Sequence, residues 1–309
     1  MMDSRNTATQ AQNTGKTSKV VRNMTTSEHR RRQQIVALVQ SGDLTPGYLL
    51  TVNADAKTIK GLKYGYLTGI LYGTPATGSG VWNDCPFASL GCAMACLNTS
   101  GQGGIGLDAD GLNHCQTARL IRSAYFHTQR DAFWTFLIKE IERVIRHAAR
   151  LGLKPAIRLN GTTDVKWEST PVTKHGVRIA NNIFELFSGV QFYDYTKFPY
   201  SKRPNSSLPA NYHLTFSRSE TNGADILENL ENGRNVAVVF GISSTDSAPM
   251  PSEWQGVPVL DGNQSDLRFK DNSGHIVGLK LKDSKGPGLA KTKAARIQAA
   301  IDGGFAVKA

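Results

Sequence analysis

Apolar and polar positions are paced very differently along this chain. Residues 1 to about 26 are rich in Thr, Asn, Gln and Ser and nearly devoid of apolar side chains. Such a segment cannot bury enough surface to offset its ordering entropy, so disorder is expected there. In "TTSEHRRRQQIVALVQSG" the apolar group Ile35, Val36, Leu38 and Val39 predicts a short helix, capped by Thr26 or Ser27 and stopped by Gly42. From residue 64 a regular alternation begins. Short β-rich runs bounded by turn residues predict strands at 64–73, 154–161, 190–196, 211–220, 235–241, 257–262 and 275–282. Between them, Phe133, Phe136, Leu137, Ile141, Val144 and Ile145 recur at helical spacing within 115–152. That run is long enough for two helices broken near His127 to Arg130. Further helices are expected at 177–189 and 223–233, each closed by a glycine.

Strands alternating with helices predict an α/β fold around a parallel sheet. Six strands plus a seventh at 275–282 suit a complete or partial (β/α) barrel, with a doubly wound open sheet as the alternative. The expected organisation is a disordered basic arm at 1–32, one α/β domain at 33–282 and a basic tail at 283–309. No run of eighteen apolar residues is present, so no membrane-spanning helix is expected. The polar N-terminus has no apolar core of a secretory signal, which points to the cytoplasm.

The formal net charge of +11 changes this picture through its placement. Residues 1–32 carry seven Lys/Arg against two acids, and residues 280–309 carry the same. The body between them is almost neutral, with 22 basic and 21 acidic residues. Two basic arms on a neutral body suit non-specific contact with a phosphate backbone, or simply solvation.

The candidate chemistry gathers after the strands, where ligands bind in α/β folds. The loop after the first strand reads "CPFASLGCAMAC" and holds Cys85, Cys92 and Cys96, three of the four cysteines. Without a secretory signal, clustered thiols point to metal rather than disulfides. Three thiolates suit a 4Fe–4S cluster with one open iron. Structural zinc is the alternative, with Cys115 or His114 as a fourth ligand. "GQGGIG" behind the loop lacks a preceding strand and a GK[ST], so it reads as a flexible loop rather than a phosphate cradle. Other strand ends offer Arg158, Asn160, Thr162, Asp164, Asp194, Lys197, Ser217, Arg218, Glu220, Asp261 and Asp266. Hard-cation hydrolysis on Asp164, Asp194, Asp261 and Asp266 is a further reading, but no carboxylate pair has diagnostic spacing.

The stretches "NADAKTIKGLKYGYLTGILY", "CPFASLGCAMACLNTSGQGG", "PAIRLNGTTDVKWE", "VQFYDYTKFPY", "NYHLTFSRSE" and "NVAVVF" resemble a family of phage and prophage proteins with no established activity. The resemblance spans roughly residues 53–282. It implies a phage origin, action inside the host cell and the three loop cysteines as the motif, without Cys115. A looser similarity links the loop to phage families related to radical S-adenosylmethionine (SAM) enzymes. Their usual spacing is C-x3-C-x2-C. Here Cys92 and Cys96 match two positions, Thr99 stands at the third, and Cys85 would have to replace it. The similarity implies an iron–sulfur enzyme using SAM on a nucleic acid or nucleotide. Asn160, Thr162, Asp164 and Ser217 would hold the cofactor, with Lys197, Arg218, Glu220 and Asp266 at the reacting groups. The competing expectation is a non-enzymatic nucleic-acid-binding protein with structural zinc.

Overall fold

The computed structural model of the chain describes residues 24–53, 56–282, 290 and 292–309. Most of the expected basic arm, residues 1–23, lies outside them, as do residues 283–289 and 291 of the expected tail. Helix α1 spans Thr26–Ser41. Its cap is Thr25, one residue earlier than expected. The Thr25 hydroxyl accepts the Glu28 N–H at 3.1 Å, and the Glu28 carboxylate accepts the Thr25 N–H at 2.8 Å. This reciprocal capping box satisfies two otherwise orphaned donors. Gly42 ends the helix at φ 88°, a left-handed conformation that favours glycine.

A nine-stranded sheet organises the rest. Its strands are β1 (Leu50–Val52), β2 (Tyr66–Leu71), β3 (Lys154–Arg158), β6 (Gln191–Thr196), β7 (Tyr212–Ser217), β8 (Val236–Ser243), β9 (Glu253–Trp254), β10 (Val257–Asp261) and β11 (Ile276–Leu281). Strands β4 (Val172–Lys174) and β5 (Val177–Ala180) form a separate hairpin. The order across the sheet is β1-β2-β3-β6-β7-β8-β11-β10-β9. From β2 to β10 every neighbouring pair is parallel.

The α/β expectation with a mostly parallel sheet therefore holds, but the sheet does not close into a barrel. Antiparallel β1 occupies the edge beside β2, and antiparallel β9 the edge beside β10. The two edges do not pair with each other. A doubly wound sheet would reverse its order in the middle. Here β2, β3, β6, β7 and β8 lie side by side in chain order, and only the last three strands run in reverse order, as β11, β10 and β9.

The helices are α2 (Ala56–Gly61), α3 (Leu90–Met94), α4 (His114–Thr128), α5 (Arg130–Arg150), α6 (Ile183–Leu186), α7 (Asp225–Glu231) and α8 (Lys293–Asp302). The long 115–152 run breaks at Gln129, between α4 and α5. Phe133, Leu137, Ile141, Val144 and Ala148 form one buried stripe of α5. They pack on a core with Leu67, Ile157 and Phe192. Burial of each large apolar side chain contributes about 1.5–3 kcal/mol, which makes this stripe the principal anchor of the helix layer. Glu140 lies on the same stripe and is buried, where its carboxylate accepts the N–H groups of Leu49 and Leu50 at 3.1 and 2.8 Å.

The helix expected at 177–189 is a correction. Its first four residues are strand β5, and only the short α6 follows. His175 and Gly176 take φ values of 52° and 75°, the left-handed pair that a two-residue hairpin turn requires. Asp131 fixes that turn by accepting the Gly176 N–H at 2.6 Å and the Thr173 hydroxyl.

Alternation along the strands gives the sheet two unlike faces. One carries Ile157, Phe192, Leu214 and Phe216 into apolar clusters with the helices. The other carries Arg158, Tyr193, Tyr195, His213 and Thr215. Segment 262–271 covers that second face, with Leu267 and Phe269 packed against Ala156, Tyr193 and Tyr66. At the C-terminal side, residues expected as a tail contain α8 and then return to the sheet. Val307 bridges Phe240 in parallel, and Phe305 and Ala306 are buried.

Candidate functional site

The cysteine loop runs from the end of β2 across the carboxyl ends of β3, β6 and β7. Each cysteine is set by a different part of the fold. The Cys85 thiol donates toward the Thr162 carbonyl at 3.7 Å, just beyond β3, and the Cys85 N–H donates to Asn83 Oδ1 at 2.9 Å. Cys92 sits in α3, whose cap is Ser89; the Ser89 hydroxyl accepts the Cys92 N–H at 3.1 Å. Cys96 caps a short 3-10 turn, its sulfur accepting the Asn98 N–H at 3.4 Å. Asn98 is in turn gripped from α4: Gln116 Nε2 donates to its carbonyl at 2.6 Å and Arg119 to its carbonyl and side-chain oxygens at 2.7 Å. The "GQGGIG" stretch is not a loose loop. Gly101–Gly104 form a 3-10 turn whose Gly103 carbonyl also accepts from Gln116, at 2.7 Å.

Glu220, after β7, fastens the centre of the loop. Its carboxylate accepts the Ser89 hydroxyl at 2.7 Å and the Gly91 N–H at 2.6 Å. Gly91 has no room for a side chain: a Cβ there would lie 2.7 Å from both the Glu220 carboxylate and Phe305. Arg218 brings Phe305 to this position by donating to the Gly304 and Phe305 carbonyls at 2.6 and 2.9 Å. Lys197 extends from the end of β6 and donates to the Ser217 hydroxyl at 2.9 Å and to the Ser217 and Arg218 carbonyls.

The three thiols lie close enough to act on one another electrostatically. Burial pushes Cys85 well up, opposed by a backbone N–H of Ala76 and reinforced by Asp164, Cys96 and Cys92. Burial also raises Cys92, with Lys197 pulling it down and Glu220 and Asp164 raising it further. Cys96 is pushed up to about 11 by burial and by Cys92, against the Asn98 N–H, Arg119 and Lys197. None of the four cysteines is in a disulfide. Cys115 lies apart, 3.3 Å from His114 Nε2, and Arg119 feels both Cys115 and Cys96.

Several residues expected at a cofactor have partners within the fold. Asn160 Oδ1 accepts from Thr163, Val165 and Trp167, and its amide donates to the Val165 carbonyl, so the whole side chain organises one turn. The Thr162 hydroxyl donates to the Gly73 carbonyl at 2.6 Å. Asp164 is buried, paired with Arg203 at 3.0 Å and accepting the Lys197 N–H at 2.8 Å. Burial raises its pKa nonetheless, against the pull of Arg203. Asp266 lies on the sheet face covered by segment 262–271, paired with Arg158 at 2.7 Å.

The four aspartates of the hydrolase reading do not converge. Asp164 faces Arg203, whereas Asp266 and Asp194 approach Arg158 at 2.7 and 3.8 Å. Asp194 accepts from Asn160 N–H and the Tyr212 hydroxyl at 2.9 and 3.0 Å. Asp261 is exposed in a turn with Asn263. Among the described residues, no group of three or more His, Cys, Asp or Glu side chains is arranged as a ready metal shell.

Sequence reasoning missed Arg203 entirely. It is fully buried and donates to both Glu168 oxygens at 2.7 Å as well as to Asp164. Asp84 was also missed. It accepts from His127 Nε2 at 2.7 Å and from the Ser123 hydroxyl at 3.1 Å, while Trp82 stacks on His127. Neither sits in a motif, so only three-dimensional placement reveals them.

These features define an α/β protein with a clamped cysteine loop at the carboxyl edge of an open, mostly parallel sheet. The chain belongs to the Gene product 88 family, a phage-type family whose signature matches residues 48–303. No curated protein and no solved structure is detectably similar to it. No helix among the described residues is long and apolar enough to cross a membrane.

Proposed function

We propose that the chain is an enzyme whose cysteine loop holds an iron–sulfur cluster on Cys85, Cys92 and Cys96, with nucleic acid or a nucleotide as substrate. The observation that supports this best is that three separately anchored thiols of one loop are buried within electrostatic reach of one another, with Lys197 acting on Cys92 and Cys96. Burial leaves all three thiols costly to ionise, and a bound cation would remove that cost. As placed, the sulfurs are not yet a coordination shell. Cluster binding therefore requires the loop to draw its sulfurs together from their present places. Three protein ligands would leave one iron open, and SAM would occupy it through its amino and carboxylate groups. Lys197 and Asp164 would flank such a ligand, whereas Asn160 and Thr162 would act only through the turn they hold.

One observation favours a second reading. Arg119 interacts electrostatically with both Cys96 and Cys115, which favours Cys115 as the fourth ligand of a four-thiolate zinc site if the loop closes towards α4. Metal content after oxygen-free purification separates the two. About four irons per chain with broad absorption at about 400 nm supports the cluster. One colourless zinc supports the alternative, and neither metal refutes both. Cys85→Ser should lower metal content in either case, whereas Cys115→Ser should do so only for zinc. Because each thiol must lose a proton on binding, metal affinity should rise with pH. A pH-independent affinity would show that the thiols are not the ligands.

A further inference from the structure

The sheet face beneath segment 262–271 holds a group of buried polar atoms that the fold does not satisfy. His213 Nε2, Thr215 Oγ1, Asn235 Nδ2, Arg158 Nε and Arg268 Nε are all buried without a hydrogen-bond partner. Buried polar groups are paired in the great majority of cases, so five on one face call for a cause. They are contiguous. Tyr193 and Tyr195 pair in register with His213 and Thr215. Asn235 immediately precedes β8 and lies beside Thr215, since Phe216 pairs with Val236. The Arg158 guanidinium lies over the Tyr193 and Tyr195 rings at 5.7 and 5.2 Å. Arg268 closes the group from segment 262–271.

The chemistry of these atoms is one-sided. Arg158 Nε, Arg268 Nε and Asn235 Nδ2 can only donate, and the Thr215 hydroxyl and His213 ring can donate as well. At His213 the neighbouring charges are positive. Burial pushes His213 down to about 4, and Arg234 and Arg268 both push in the same direction. Asp266 and Asp271 balance part of the charge from their places beside Arg158 and Arg268, at 2.7 and 3.1 Å. Arg158 Nε also faces the Asp194 carboxylate at 3.8 Å, an ion pair without a hydrogen bond, and the other atoms named above are left over from those pairings.

We propose that this face is a binding site for a small oxyanion, such as a phosphate or carboxylate group, between His213, Thr215, Asn235, Arg158 and Arg268. Segment 262–271 forms its roof and contributes Arg268. The site is separate from the cysteine loop and does not depend on a metal there.

The test is thermal unfolding of the full chain with inorganic phosphate at about 10 mM, against chloride at equal ionic strength, for wild type and Thr215→Val. Valine keeps the shape and removes the hydroxyl. Without phosphate the variant should melt at or above the wild-type temperature, because an unsatisfied buried hydroxyl is lost. Wild type should be stabilised by phosphate, and Thr215→Val should bind it about tenfold more weakly. No phosphate effect on wild type would overturn the proposal. So would equal stabilisation of both proteins, which would place the anion on surface lysines. A variant that is destabilised or unfolded without phosphate would show that the hydroxyl has a partner in the fold, and would overturn it too.

Discussion

Glu220→Gln tests whether the strand-end carboxylate acts as a clamp on the cysteine loop. Glu220 accepts two short hydrogen bonds, from the Ser89 hydroxyl and the Gly91 N–H. Each bond to an ionised acceptor is worth about 1.5–3 kcal/mol net. An amide keeps one carbonyl oxygen and turns an N–H toward the other donor, so one bond is lost and the other weakened. Glu220 is only half-buried, and solvent screening keeps the expected loss near that of a single bond, about 1.5–3 kcal/mol. That corresponds to a tenfold to hundredfold rise in local opening, on a scale of about 1.4 kcal/mol per decade. Hydrogen exchange at the Gly91 amide and the rate of Cys92 modification by a thiol reagent both report this opening. The global urea midpoint should move less than the local readouts. Unchanged Gly91 exchange and unchanged Cys92 reactivity would refute the clamp, whatever happens to activity.

Further expectations follow from the same geometry. Gly91→Ala must push backbone against Phe305 and Glu220, so it should expose Cys92 at least as much as Glu220→Gln, checked by the same thiol modification. Arg203→Met leaves Asp164 and Glu168 buried without their cation and should cost about 3–5 kcal/mol in urea unfolding. A loss under 1 kcal/mol would mean these acids are satisfied without it. Asp194 is raised to about 7, chiefly by burial. Its folded form holds a proton more tightly than the unfolded chain does, so its contribution is complete below about pH 4 and is lost as pH rises through about 7. The stability of wild type relative to Asp194→Asn should therefore fall across that window, and a difference that stays constant with pH would contradict the assignment.

The alternation of strand and helix was legible because it is written in local pattern. All seven sequence-predicted strands are present, and Gln129 breaks the long helix where the pattern weakens. The second strand of the hairpin, Val177–Ala180, reads as part of a helix because Ile179, Ile183 and Leu186 fit a helical stripe. Its deciding residues, His175 and Gly176, precede that run. Closure of the sheet was not legible at all, since it depends on what occupies the two edges. At the site, the sequence placed the cysteines and most strand-end polar residues in one region. It did not show which of those residues were already spent. Asn160, Glu220 and Arg218 look reactive in a sequence, yet each holds backbone in the fold. Arg203 was invisible because a buried arginine and a solvated one are the same letter.

The reach of the clamps has a consequence for how the site comes into being. Thr162 meets Cys85 across 77 positions of chain, and Glu220 meets Ser89 and Gly91 across 131 and 129. A clip built from two neighbouring cysteine pairs can capture an ion as soon as its own short segment is made. This loop is shaped only after β3, β6 and β7 have been laid down beside β2, and contacts of such separation form late. Any ion the loop takes up therefore arrives at a nearly finished protein, and a chain that stalls before β7 has been made should emerge with thiols that are present but unplaced.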